Sequence, residues 1–166
     1  MYDPHKFIIR DSYAHMQKLE DNRQKHRASK RTKRPIRVLV SKLGIDGHDR
    51  GAFIICKALR DAGMEVIYSG LFCTPEQVAK IAIDEDVDVV AMSLLNGAHL
   101  RLFPRVKSLL EKKGANKIVV IGGGIIPQND KKILERQGIK GNFGPGTTLD
   151  QIIEFIQSEV RSKILS

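Results

Sequence analysis

From residue 35 onward the chain alternates short apolar runs with amphipathic stretches, the pattern of strand and helix units repeated around a parallel sheet. Five runs read as strands: Ile36 to Val40, Glu65 to Tyr68, Val87 to Met92, Lys117 to Ile121 and Ile139 to Phe143. Between the first two, Ala52, Ile54, Ile55, Ala58, Leu59 and Ala62 recur at helical spacing. Gly63 follows where a helix end takes a left-handed residue. Thr74-Pro75-Glu76-Gln77 joins a capping Thr, a Pro at the first helical position and a Gln three residues after the cap, so a second helix starts there. Leu102, Val106, Leu109 and Leu110 mark a third, closed by Gly114. Asp130 to Gln137, ended by Gly138, gives a fourth, and Leu149 to Val160, capped by Thr148, a fifth.

Right-handed crossovers place such units on both faces of one sheet. Five of them predict a doubly wound, flavodoxin-like (Rossmann-type) α/β domain with strand order 2-1-3-4-5. In that order a ligand crevice lies outside the carboxyl ends of strands one, three and four, so the informative loops follow Val40, Met92 and Ile121.

Charge divides the chain before it says anything about chemistry. The net +9 is uneven: residues 1–34 carry ten Lys/Arg against four Asp/Glu, a net of +6, which leaves +3 for the other 132 residues of the 166. The run RQKHRASKRTKR from Arg23 to Arg34 has no apolar period and reads as a solvated linker or an arm that orders on a partner. Residues 1–34 are therefore separated from a folded domain spanning 35–166. A nucleic-acid role would require stacking aromatics among these charges, and the run contains none. Tyr2, Phe7, Ile8, Tyr13 and Met16 upstream fit docking on another chain better than an independent fold. No stretch approaches the roughly 18 apolar residues of a membrane span, and the first residues lack the apolar centre of a secretory signal. A soluble, cytoplasmic protein is expected. Cys56 and Cys73 are too few and too far apart for a metal cluster or disulfide framework, and their apolar neighbours make them buried small hydrophobes.

The loop after strand one, SKLGIDGHDRG (residues 41–51), places Asp46 two residues before His48 and Gly51 three after it. An imidazole nitrogen of His48 can ligate a metal, and Asp46 can hold the proton of the other nitrogen. Gly44, Gly47 and Gly51 allow something bulky to approach the backbone. Alone, the same residues also describe a flexible polar loop with a surface histidine. Ser93-Leu94-Leu95 follows strand three, a combination common at strand ends. Gly122-Gly123-Gly124-Ile125-Ile126-Pro127 follows strand four, either a tight turn before a proline or a surface on which a flat group can lie. Phe143-Gly144-Pro145-Gly146-Thr147 follows strand five.

Together these four loops resemble the cobalamin-binding domains of methionine synthase, glutamate mutase and methylmalonyl-CoA mutase, over about residues 35–160. The Asp46-x-His48-x-x-Gly51 string is the main match, with Asp49, Arg50 and Ile55 beside it. Ser93, Leu95 and Gly97 match the second loop, Gly123 and Gly124 the third, and Phe143, Gly144, Pro145, Gly146 and Thr147 the fourth. The resemblance implies a base-off, His-on cofactor: the cobalamin's own benzimidazole is displaced and His48 takes its place on cobalt. Ser93 then hydrogen-bonds the displaced base, Leu95 packs near it, and the fourth loop closes over the nucleotide tail.

The wording DGHDRGA, LFCTPEQVA and IGGGIIPQND is similar to the acyl-CoA mutases, and SLLNGAHLRLFPRV (residues 93–106) to the small subunits of isobutyryl-CoA and 2-hydroxyisobutyryl-CoA mutase. That implies an isomerase subunit carrying adenosylcobalamin and docking, with its basic arm, on a large acyl-CoA-binding barrel subunit in a heterotetramer. It implies radical rearrangement of a branched acyl-CoA, with no catalytic residue in this chain. A methylmalonyl-CoA mutase small subunit and a corrinoid methyl carrier are the alternatives; the carrier lacks its usual helical neighbour here. A phospho-receiver fails because Ser41 and Lys42 stand where acidic residues would, and Ser93 where an aspartate would. An FMN protein fails because DGHDRG is not a Ser/Thr-rich phosphate loop. His99, at a helix start, is expected exposed at the crevice rim or toward the partner, and Arg105 at an interface or on the surface.

Overall fold

A computed structural model describes residues 34–165 of the chain, so the basic arm, apart from Arg34, lies outside the described residues. Five strands, β1 (Arg37–Lys42), β2 (Glu65–Tyr68), β3 (Val89–Leu94), β4 (Val119–Gly124) and β5 (Asn142–Phe143), alternate with five helices: α1 (Arg50–Asp61), α2 (Pro75–Asp84), α3 (His99–Lys112), α4 (Gln128–Arg136) and α5 (Leu149–Leu165). The sheet order is β2-β1-β3-β4-β5 and every pairing is parallel, the flavodoxin-like arrangement expected.

A parallel sheet covered on both faces needs strands that are apolar on both sides. The central strands meet that condition: Val38, Leu39 and Val40 of β1, Val89 and Val90 of β3, and Val119, Val120 and Ile121 of β4 are all buried. Because side chains alternate along a strand, Leu39, Val90, Met92 and Val120 pack with Val78, Phe103 and Leu134 of α2, α3 and α4. Val38, Val40, Ala91 and Ile121 pack on the other face with Ala52, Cys56, Ile152 and Ile156 of α1 and α5. The α2 start has both halves of its capping box, the Gln77 N–H donating to Thr74 Oγ1 and the Thr74 N–H to Gln77 Oε1. Thr148 and Gln151 repeat that exchange at the start of α5.

Strand ends differ from the sequence reading in one direction. Three strands run further toward their carboxyl ends, β1 through Lys42, β3 through Leu94 and β4 through Gly124, because Lys42 pairs with Ser93, Ser93 with Gly123 and Leu94 with Gly124. Val87, read as strand, instead closes the turn after α2, its N–H donating to the Ala82 carbonyl, and stays buried there. Strand β5 is only two residues; Ile139 is a buried core residue ahead of it. The cysteines are free and buried, as expected.

Candidate functional site

The site grows from the carboxyl end of β1. Lys42, the strand's last residue, is fully buried with its ammonium on the buried Asp46 carboxylate and 3.4 Å from Ser93 Oγ. A buried ammonium is costly unless paired, and Asp46 pairs it. The same carboxylate accepts from the backbone N–H of Leu95 at 2.9 Å and of His48 at 3.1 Å, and faces His48 Nδ1 at 3.0 Å. Burial works against the charge on Asp46. The hydrogen bonds from Lys42, the His48 and Leu95 backbones and the His48 ring together outweigh it and hold the carboxyl well below the usual carboxylate range. Asp46 therefore joins the loop after β1 to the loop after β3.

An ionised carboxylate only accepts, so His48 Nδ1 carries the hydrogen and the neutral ring's lone pair sits on Nε2. The side chain bearing that nitrogen is 79% exposed. Its orientation is nevertheless fixed from below by a group that is itself pinned at four points.

Beside His48 a cleft of about 700 Å³ opens, within the range of about 300–1,000 Å³ typical of small-molecule sites. Of the residues singled out in the first loop, Gly47, His48, Asp49, Arg50, Gly51 and Ile55 line it. Ser93 and Leu95 line it from β3 and its loop, and Gly123, Gly124, Phe143, Gly144, Pro145 and Thr147 from β4, β5 and beyond. Asp46 lies beneath, its carboxylate bonded to the lining residues His48 and Leu95, while Gly97 and Gly146 are exposed outside the lining. Thr147 Oγ1 accepts from the Gly144 N–H at 3.3 Å, which fastens the loop after β5.

The floor is main chain. Gly124 sits at φ 141°, and a Cβ there would run into the Leu94 carbonyl oxygen of the paired strand. At Gly122 a Cβ would come within 2.6 Å of the Phe103 ring. The walls are apolar, including Ile54, Ile125, Leu149 and Ile152. Sequence reasoning did not single out these four or Lys42. A lysine four residues before Asp46 at the end of an otherwise apolar strand was the available signal. Leu149 and Ile152 were read only as helix-forming residues.

Two residues outside the site divide. Arg105 is a surface residue, as expected, hydrogen-bonding Glu76 at 2.6 and 2.8 Å. His99 is not at the rim: it is 3% exposed, with Nε2 2.8 Å from Asp130 Oδ2. It joins the first turns of α3 and α4 because its ring lies inward beside Phe103.

Residues 36–153 match the model of the B12 binding domain family. The chain is 47% identical over 129 residues to the 2-hydroxyisobutanoyl-CoA mutase small subunit of Aquincola tertiaricarbonis, covering 78% of this chain and 95% of that protein. It is 44% identical over 123 residues to the pivalyl-CoA mutase small subunit of Xanthobacter autotrophicus, covering 74% and 82%. With the methylmalonyl-CoA mutase of Cereibacter sphaeroides identity is 46% over 134 residues, 81% of this chain but 19% of that much longer protein. Among solved structures, a cobalamin-binding protein from Desulfitobacterium hafniense superposes with TM-score 0.67 at 19% identity, over 77% of this chain and 60% of that one. A signal receiver domain from Mycobacterium tuberculosis does so with TM-score 0.60 at 15% identity, over 77% and 98%. At these identities the likeness concerns the fold alone, and the fold does not separate the two.

Proposed function

The chain belongs to the B12-binding domain family, and from that premise we propose that it is the cobalamin-binding small subunit of a heteromeric acyl-CoA mutase, an isomerase. His48 is the lower ligand of cobalt, and the cofactor is adenosylcobalamin bound base-off and His-on. The observation that carries this reading is an exposed imidazole, fixed by a buried, multiply bonded Asp46, at the mouth of a glycine-floored cleft. Among the described residues no group of three or more His, Cys, Asp or Glu could hold a metal ion. A single imidazole suits a metal whose other positions are filled by its own macrocycle.

The residues present fit such a group. His48 Nε2 offers the lone pair, and Asp46, ionised, raises the basicity of that ring. The glycine floor and apolar walls accommodate a displaced, flat, largely apolar base, while Ser93 Oγ and the Thr147 hydroxyl are the side-chain hydroxyls in the lining. Gly97 and Gly146 act at a distance, through the path of their loops. Adenosylcobalamin, when bound, would supply radical chemistry through its cobalt–carbon bond, and His48 with the residues of the cleft would hold and orient it. No catalytic residue is assigned here, and the acyl-CoA site belongs to a large barrel subunit on which the basic arm docks, in a cytoplasmic heterotetramer. Identity to small subunits of 2-hydroxyisobutanoyl-CoA and pivalyl-CoA mutases favours a branched acyl-CoA of the 2-hydroxyisobutyryl or isobutyryl type. The 46% identity to a methylmalonyl-CoA mutase supports that substrate as a second reading.

The test is a titration of the purified protein with hydroxocobalamin, followed by reduction to Co(II). Base-off binding with nitrogen hyperfine coupling from a histidine is expected in the electron paramagnetic resonance spectrum, and His48→Ala should abolish that coupling. A protein that leaves the benzimidazole on cobalt, or a His48→Ala variant with an unaltered spectrum, would contradict the ligand assignment.

A further inference from the structure

A buried titratable group that the cofactor reading does not use joins α3 to α4. His99, the first residue of α3, has its Nε2 2.8 Å from Oδ2 of Asp130 in the first turn of α4. The carboxylate only accepts, so Nε2 carries the hydrogen and donates it. Nδ1, on the other side of the ring, is buried with no hydrogen-bond partner. A leucine would fill the same space without burying an unmatched polar atom. What the imidazole adds is its bond to Asp130.

Where that bond falls gives it a consequence for the cleft. Strands β3 and β4 last pair at Leu94 and Gly124. From there two short segments, residues 95–98 and 125–129, run separately to His99 and Asp130. Each segment is therefore fixed at both ends, by the sheet at one and by the histidine–aspartate bond at the other. Leu95 and Ile125, the first residues of the two segments, both line the cleft. The imidazole also stands beside Phe103, with ring centroids 6.4 Å apart, and Phe103 is the side chain that lies against Gly122 in the cleft floor. We infer that the His99–Asp130 pair is a clasp that sets the spacing of these two segments and so preshapes the cleft for the displaced base and nucleotide tail; this rests on the cofactor reading above. His99 acts through Leu95 and Ile125 and is a positioning residue. With the bond gone, the first turns of α3 and α4 are free to separate, and the ligand has to supply the ordering that the clasp otherwise provides in advance.

The clasp is read first in the free, full-length protein by amide hydrogen exchange. His99→Leu keeps the apolar bulk, and Asp130→Ala alters only the more exposed partner. Each should speed exchange across residues 95–98 and 125–129 while the middle of β3 and β4 stays protected. His99→Gln, whose amide can donate from nearly the same place, should restore the wild-type pattern. Hydroxocobalamin and diaquocobinamide, the second a corrinoid without the nucleotide tail, are then titrated into each protein and followed by absorbance. Affinity for hydroxocobalamin should fall about tenfold in His99→Leu and Asp130→Ala, the loss of one hydrogen bond to a charged acceptor, and return in His99→Gln. Affinity for diaquocobinamide should stay near the wild-type value throughout. Unchanged exchange in both variants refutes the clasp. Equal losses for the two corrinoids, no loss at all, or no recovery in His99→Gln refutes its role in shaping the tail cleft. A wild-type protein that ignores hydroxocobalamin overturns the cofactor reading instead, and the exchange result then judges the clasp by itself.

Discussion

Replacing Asp46 by alanine should destabilise this domain more than its small size suggests. The carboxylate neutralises a fully buried ammonium, Lys42, and takes backbone N–H groups from Leu95 and His48. Leu95 and His48 are exposed enough for water to replace those two bonds. Lys42 at 0% exposure has no such recourse. Breaking one side of a buried ion pair costs about 3–5 kcal/mol, against a total of about 5–15 kcal/mol for a domain of this kind. Lys42→Met removes the charge that needs pairing and leaves Asp46 its other three donors, so about 1–2 kcal/mol is expected. The double variant should be no less stable than Asp46→Ala alone, because the methionine leaves no charge stranded; a coupling of at least about 1 kcal/mol follows. Urea unfolding followed by circular dichroism, with the slopes compared to confirm a common unfolded state, measures all three. If Asp46→Ala costs under about 1 kcal/mol, or the two single effects simply add, the ion pair is not what holds these loops.

Gly124→Ala should cost at least about 2 kcal/mol, since φ 141° and the Leu94 carbonyl both oppose a Cβ; urea midpoints check it. His48→Ala, by contrast, should leave folding stability within about 0.5 kcal/mol, because its side chain is mostly in solvent. Thr74→Ala removes one arm of a capping box and should cost about 1 kcal/mol, visible in the same assay. Burial pushes the Cys56 thiol above its ordinary pKa, so at pH 8 that residue should resist a thiol-specific disulfide reagent until denaturant is added; rapid labelling of native protein at Cys56, read by peptide mass, would disprove its burial.

Most of the architecture was legible because apolar runs and caps are local signals. Thr74-Pro75-Glu76-Gln77 marked a helix start to the residue, and the strand order followed from counting crossover units. Strand ends were less legible, since a hydrophobic run does not say where pairing stops: Val87 is as buried as any strand residue yet belongs to a turn, and three glycines look like a loop until β3 pairs with them. The Asp46–His48 contact was readable from two-residue spacing. Lys42 was not, because its four-residue spacing to Asp46 does not by itself decide whether a strand-end lysine turns inward or out. His99 failed for the same reason: its partner, Asp130, is 31 residues away, and only packing of α3 beside α4 brings them together.

The bare peptide floor at Gly122, Gly123 and Gly124 limits how this site can be re-tailored. Exchanging side chains cannot tune a surface that has none, and at Gly124 any addition strikes the neighbouring strand. If the cleft takes the displaced base as proposed, its adaptation to larger or smaller bases is confined to the flanks, at Ile54, Ile125, Leu149 and Ile152. The first three of these tolerate change cheaply because they already reach solvent.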